Sequence, residues 1–319
     1  TPLFGSGRDF VLDALEKDGF SQVHLVKKQA GFDGKFPGLR KPNPEEPEVF
    51  RIAEREALRE HADLMIATDP DSDRIGAGVI CDSKAFFFTG NQIGALLADF
   101  LSRQGSVKGK IMVTTVVTGD LGSRIVTSRG ATVIHTLTGS KFVCEEMNHM
   151  EAGEFLLGYE ESHGYIGGMH IRDKDGVLAA MLLCETAAWH KTQGRTLLDA
   201  LEDLYQKYGY YIDEQDSFVF EGAKGAKEMQ KIMVRLRSRR GSVFAPLGKP
   251  DKILDYEKGV DELPRSNVLK FFFPNGSWVA VRPSGTEPKI KFYYCIRGKD
   301  QRQAEDLYEA VQTSVEEFL

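Results

Sequence analysis

Cysteine pairs, surplus positive charge and long apolar runs are all missing from this sequence of 319 residues. Its four cysteines, Cys81, Cys144, Cys184 and Cys295, lie far apart, and none forms a C-x-x-C pair. That excludes a disulfide framework and a zinc site, and it fits a reducing cytoplasm. Lys and Arg number 41 against 47 Asp and Glu, a net charge of −6, so no general attraction to nucleic acid or an anionic membrane is expected. The short basic run at 235–240 reads as a solvated helix end. The longest apolar stretch, around 177–189, is too short for a bilayer and holds Glu185. Neither a signal-peptide pattern nor an initiator methionine stands at the start. Thr1-Pro2-Leu3-Phe4-Gly5-Ser6-Gly7 reads as a loop leaving a strand outside these residues, so the expectation is part of a longer protein. What is present is ordinary globular composition, 41% hydrophobic and 28% charged. The length predicts two or three domains.

In chain order, Gly5-Ser6-Gly7 precedes Phe10, Val11, Ala14 and Leu15 at helical spacing, with Gly19 as the stop. Residues 23–26 (VHLV) read as a short strand. Residues 29–47 (QAGFDGKFPGLRKPNPEEP) are rich in proline and glycine and form a long loop, a length uncommon unless functional. A helix over 48–61 leads to the apolar strand Leu64-Met65-Ile66-Ala67. Helix, strand, helix, strand predicts a parallel sheet whose ligands gather at its carboxyl end. After β-like segments at 75–80 and 86–88 the pattern restarts. Thr89 is a good N-cap for a helix presenting Ile93, Leu96, Leu97, Phe100 and Leu101 on one face. Strands at 111–117, 132–135 and 155–157 alternate with helices, and a long apolar helix runs over 177–190. Residues 213–319 instead carry alternating or aromatic strands at 217–220, 268–273, 277–281 and 290–296. A helix around 226–237 and a final one presenting Leu307, Val311, Val315 and Phe318 bracket them. Antiparallel strands with helices on one side predict an α+β domain.

The chemistry concentrates at Asp69-Pro70-Asp71-Ser72-Asp73-Arg74, where the strand gives way to a loop. Side chains two apart on an extended segment point the same way, so the three carboxylates can converge. Clustered carboxylates raise one another's pKa unless a cation sits among them, and hard oxygens suit Mg²⁺ or Ca²⁺. A solvated acidic turn is the plain alternative. An EF-hand is excluded, because Arg74 and Ile80 stand where it needs Gly and Glu. An aspartyl phosphatase is a weak match, since Thr or Val is expected where Asp73 stands. A second site candidate is Arg282-Pro283-Ser284-Gly285-Thr286-Glu287-Pro288, between two strands. Its guanidinium, hydroxyls and backbone N–H groups are the parts of a phosphate nest, or else of an ordinary hairpin turn.

Taken together and in order, DPDSDR (69–74), TGSK (138–141), GYEESHGY (158–165), RDKDG (172–176) and RPSGTEPK (282–289) resemble the α-D-phosphohexomutase superfamily. The likeness is to bacterial phosphoglucomutase/phosphomannomutase proteins of the longer type, and TPLFGSG and FDGKFPGLRKPNPEEP (32–47) resemble that group's second domain. The resemblance implies an α/β chain with two similar mixed or parallel-sheet α/β domains, the first incomplete, and a C-terminal antiparallel α+β domain. Its boundaries would be domain II over 1–83, domain III over 84–208 and domain IV over 209–319, arranged around a central cleft. It implies an isomerase that transfers phosphoryl groups between an active-site phosphoserine and a sugar monophosphate through a bisphosphorylated sugar. Asp69, Asp71 and Asp73 would coordinate Mg²⁺, and Arg74 would contact the transferring phosphate. Glu160 and Ser162 would bind sugar hydroxyls. Arg282, Ser284, Gly285 and Thr286 would hold the other phosphate. Lys141 would face the cleft as a phosphate or proton-transfer partner, and His163 could do the same or, with Glu161, support the loop.

The family's phosphoserine loop, T-[AS]-S-H-N-P, is not among these residues. The resemblance therefore implies a chain without its phosphoryl donor, inactive alone and partnered by the missing N-terminal domain. GYEES with TGSK leans toward glucose phosphates, with mannose phosphates and a phosphopentomutase as alternatives. A sugar-phosphate sensor without catalysis is the competing class of function.

Overall fold

In the computed structural model, which describes residues 1–284 and 287–319, the chain forms two units with separate cores, Thr1–Asp203 and Leu204–Leu319. The first unit opens with α1 (Gly7–Lys17) and α2 (Arg51–Glu60). It continues into β1 (Met65–Thr68), β2 (Ile75–Cys81) and β3 (Lys84–Phe88). These strands form a sheet in the order β1-β2-β3, antiparallel throughout, and the parallel pair expected of residues 23–26 and 64–67 is not formed, because 23–26 are not a strand. The antiparallel pairing of β1 with β2 follows from connection length. Only residues 69–74 join β1 to β2, and a parallel pair needs a crossover of about a dozen residues or more. Asp82 (φ 47°) and Ser83 (φ 64°) then close a two-residue hairpin, both with the positive φ that matches strand twist.

Residues 23–26 do not form the expected strand. They help line a cavity of about 830 Å³, with Val23, Leu25, Leu64 and Ile66 among its walls. Val and Leu favour extended backbone, but a strand exists only where a neighbour's N–H and C=O are in reach. Residues 27–50 stay irregular apart from single turns at Lys27–Gln29 and Pro47–Phe50. Val49 and Phe50 enter a core with Leu3, Val26, Ala53, Met65 and Ala67.

The rest of this unit holds α3 (Gly90–Leu101), β4 (Ile111–Thr115), α4 (Asp120–Ser128), β5 (Thr132–Thr136) and α5 (Ser140–Met147). It ends with β6 (Phe155–Glu160), β7 (Gly164–Ile166), α6 (Gly176–Lys191) and the start of α7 (Leu197–Tyr208). Thr89 caps α3 as its sequence predicts. Its hydroxyl accepts from Gln92 N at 3.2 Å, and Gln92 Oε1 accepts from Thr89 N at 2.9 Å, a reciprocal capping box. The sheet order is β5-β4-β6-β7, with β4 parallel to β5 and β6 and only β7 antiparallel. The loops after β4, β5 and β6 therefore leave one edge together, where open α/β sheets hold ligands.

The second unit completes α7 and carries β8 (Tyr210–Val219), α8 (Gly222–Arg239), β9 (Lys252–Asp255), β10 (Leu269–Phe272), β11 (Trp278–Pro283), β12 (Lys289–Gly298) and α9 (Gln301–Phe318). Its five strands pair antiparallel in the order β8-β12-β11-β10-β9. Phe292, Tyr294 and Ile296 alternate along β12 and pack with Ile232, Met233 and Leu236 of α8 and Val311, Val315 and Phe318 of α9. The α/β class, followed by an antiparallel α+β unit, is as expected. Among the described residues no helix is long and apolar enough to cross a membrane.

Candidate functional site

The loop between β1 and β2 is shaped by Asp69. Its Oδ1 accepts from Arg74 N at 3.0 Å, its Oδ2 from Arg74 Nε at 2.8 Å, and its carbonyl from Ser72 N at 3.1 Å. Ser72 sits at φ 61°, which turns the chain back on itself. Two neighbours pin the loop from outside. Ser6 N donates to Pro70 O at 2.8 Å, and Gly176 N, at the start of α6, donates to Ser72 O at 2.9 Å. A Cβ on Gly176 would lie 2.6 Å from Ser72 O, so only glycine lets α6 begin this close.

Asp69 is buried, Asp73 half-buried and Asp71 exposed, and one oxygen from each lies within 4.8 Å of the others. Two cations stand beside them. Arg74 Nε is 3.5 Å from Asp73 Oδ1, and Lys174 Nζ is 2.5 Å from Asp73 Oδ2. Burial, with a hydrogen bond to Asp73, pushes the Asp69 carboxyl up to about 6 although Arg74 pulls it down. Burial acts the same way on Asp73, but Lys174, the hydrogen bond with Asp69 and the Arg74 charge together outweigh it and hold that carboxyl below its ordinary value. This donor set fits a small divalent cation. It offers three hard carboxylates, one of them buried with its pKa pushed up by burial despite Arg74.

A second set of loops lies on the β5-β4-β6 edge of the same unit. Glu160, 7% exposed at the end of β6, accepts from Gly139 N at 2.7 Å and so joins its turn to the 138–141 loop. The next residue joins the other neighbour. Glu161 Oε2 accepts from the Thr115 and Thr118 hydroxyls, each at 3.3 Å. Ser162 is half-buried on this turn. His163 is buried at φ 64°, with Nδ1 3.0 Å from Ile75 O, and Ile75 N donates to His163 O at 3.2 Å. That pair ties the 160–163 turn to β2, directly after Arg74. Lys141 is exposed, its Nζ 4.7 Å above the Phe142 ring.

In the second unit, Arg282 and Pro283 end β11 opposite Lys291 and Ile290 of β12. Ser284 N donates to Lys289 O at 2.8 Å, and Ser284 Oγ accepts from Glu287 N at 3.2 Å. Gly285 and Thr286 lie outside the described residues. Sequence reasoning assigns no role to Lys174 or Glu45, which both touch the aspartate loop's charges. The signals available were a lysine within RDKDG and an acid at the end of the proline-rich loop.

Three models of one family match the chain in succession. They are phosphoglucomutase/phosphomannomutase alpha/beta/alpha domain II over residues 1–81, domain III over 89–208 and the C-terminal domain over 219–314. The chain belongs to the phosphoglucomutase/phosphomannomutase family. It is 35% identical to a phosphoglucomutase of Staphylococcus haemolyticus over 97% of its own length and 59% of that protein's. A phosphoglucomutase of Staphylococcus aureus is likewise 35% identical, with 93% of this chain and 56% of the relative covered. This family member thus spans well under two thirds of those relatives. Among solved structures, a phosphoglucomutase/phosphomannomutase family protein of Burkholderia thailandensis superposes with a TM-score of 0.70 at 17% identity, covering 99% of this chain and 59% of that one. The open form of parafusin, a Paramecium phosphoglucomutase, gives 0.66 at 21% identity, covering 97% and 59%. At such identities the likeness concerns the fold.

His163 gives this family member a pH dependence. Burial lowers its imidazole pKa below the ordinary 6.5, outweighing the Glu45 charge. The folded state therefore prefers the neutral ring, and this contribution is complete above about pH 6.5 and lost as pH falls further. Asp69, with its raised pKa, acts in the opposite sense between roughly pH 4 and 6. The variant His163→Asn, whose side chain tolerates positive φ, isolates the histidine. Urea unfolding of the first unit at pH 7.5 and 5.5 should show a smaller loss of stability in the variant than in the parent.

Proposed function

We propose that this chain supplies the metal, sugar and phosphate loops of a Mg²⁺-dependent phosphosugar mutase. That enzyme interconverts hexose 1-phosphate and hexose 6-phosphate, glucose foremost and mannose also, through a phosphoserine and a bisphosphorylated sugar. The observation that carries the reading is the convergence of Asp69, Asp71 and Asp73 beside Arg74 and Lys174. Family membership and the names of the relatives agree with it.

Mg²⁺ held by the three aspartates would offset negative charge as a phosphoryl group moves. Arg74, fixed by Asp69, would meet an oxygen of that group with a planar donor fork. Lys174 neutralises Asp73 from the other side, so the loop does not rely on the metal alone. Glu160 and Ser162 would hydrogen-bond adjacent sugar hydroxyls, and both groups can serve either orientation of the ring. His163 braces their turn against Ile75, and Lys141 would reach the substrate's phosphate from the 138–141 loop. In the second unit, Arg282, Ser284, Gly285 and Thr286 would hold the phosphate that stays in place. Since no residue here matches the phosphoserine loop, the chain alone should bind sugar phosphate without turning it over.

Calorimetric titration with glucose 6-phosphate tests the phosphate loop. Losing one charge-assisted contact is expected to weaken binding about tenfold or more in Arg282→Ala. Equal affinity in parent and variant would overturn the assignment.

A further inference from the structure

The long loop over 29–47 remains without a task in the reading above, yet its end is rigidly placed. Pro44 lies against Gly76, where a Cβ would come within 2.1 Å of Pro44 O, so the loop rests directly on β2 two residues beyond Arg74. Asn43 forms the turn that follows. Its side-chain Oδ1 accepts from Glu45 N at 3.2 Å, and its carbonyl accepts from Glu46 N at 3.0 Å. This backbone presents Glu45 to the guanidinium of Arg74, with Oε1 2.9 Å from Nη1. The two side chains are 25% and 28% exposed, sheltered enough for the pair to resist full solvent screening. Arg74 is thus gripped on two edges, Nε by Asp69 and Nη1 by Glu45. Two carboxylates on different edges fix the plane of a guanidinium as well as its position.

The pairing also affects charge. The Asp73 carboxylate is only 3.5 Å from Arg74 Nε. A guanidinium released from Glu45 is free to close on that carboxylate, and tighter pairing there sets it in competition with any cation at the aspartates. We propose that Glu45 is a positioning residue for the aspartate loop. It shares the charge of Arg74 and keeps the guanidinium from closing further on Asp73 than the present 3.5 Å, so that the three aspartates remain available to a divalent cation. The proposal rests on the metal-loop reading above, and it gives the proline-rich loop a function: it delivers one carboxylate to one arginine.

The test is a double-mutant cycle on this chain with Mn²⁺ as the probe, its binding followed by electron paramagnetic resonance. Glu45→Gln should weaken Mn²⁺ about fivefold with Arg74 present and less than about twofold in the Arg74→Ala background, a coupling of the size contacting residues show. Glu46→Gln, a neighbouring acid that leaves the arginine untouched, controls for the loss of one negative charge and should match the parent. A Glu45 effect of equal size in both backgrounds, or none in either, overturns the proposal. The Arg74 guanidinium resonances give an independent readout. Rotation about the Nε–Cζ bond should be slow in the parent and fast in Glu45→Gln, and unchanged rotation also overturns the proposal. If the parent takes up no Mn²⁺, the metal-loop reading falls, and these resonances alone decide whether Glu45 positions Arg74.

Discussion

Asp71→Ala should abolish most divalent-cation binding while leaving the fold untouched. Among the described residues the Asp71 carboxylate makes no hydrogen bond or ion pair, in contrast to Asp69, which organises Arg74, and Asp73, which holds Lys174. The side chain is exposed, so its removal is expected to change stability by no more than about 0.5 kcal/mol. As one of three carboxylate donors clustered among the described residues, however, its loss should weaken Mn²⁺ at least about tenfold, or roughly 1.4 kcal/mol. Isothermal titration with Mn²⁺ and urea unfolding, run on the same preparations, separate the two effects. Unchanged Mn²⁺ affinity in Asp71→Ala would remove the metal role from the loop and leave a solvated acidic turn. An equal loss of stability and affinity would instead make Asp71 a structural residue.

The contrast among the three aspartates explains what could be read in the sequence and what could not. DPDSDR announces a charge cluster because the oxygens sit on alternate residues of one short stretch, and local spacing is enough to bring them together. Thr89, with glutamine three residues on, announces its capping box for the same reason. Glu45 and Lys174 reach the loop from segments distant along the chain, so no spacing rule points to them. The same distinction accounts for the strands. Residues 23–26 have strand-forming side chains, but whether a strand forms depends on a partner's backbone, and these residues join none of the sheets among the described residues. The parallel expectation for β1 fails with the loss of its partner at 23–26, and β1 pairs instead with β2, to which six residues allow only an antiparallel connection.

Glu160 and Glu161 show a subtler limit. GYEES marks the turn as a site from its letters, but not that the two glutamates divide the work. One carboxylate accepts from Gly139 N and the other from two threonine hydroxyls, so the turn after β6 is tied to the loops after both β5 and β4. Such ties hold a polar side chain in a fixed place without a ligand, which is what a sugar-binding glutamate requires.

Gly90→Ala is expected to be among the most disruptive single-methyl changes in the first unit. Gly90 begins α3, and a Cβ there would lie 2.2 Å from Glu161 O and 2.8 Å from His163 N. Both atoms are backbone, and neither can rotate away. Glu161 is anchored by Thr115 and Thr118, and His163 by Ile75, while Gly90 O itself accepts from the buried Tyr165 hydroxyl at 3.0 Å. The clash must therefore be relieved by moving either the helix or the 160–163 turn. Overpacking of this kind costs about 3 kcal/mol. Gly105→Ala is the matched control, since a Cβ there meets nothing within 4 Å, and it should be neutral or slightly stabilising. Urea unfolding gives the stability difference, and the Glu160 and Ser162 amide resonances report whether the turn has moved. A Gly90→Ala protein as stable as Gly105→Ala, with those resonances in place, would show that the turn yields easily. In that case the order of the turn proposed to bind sugar would have to come from a ligand rather than from the fold.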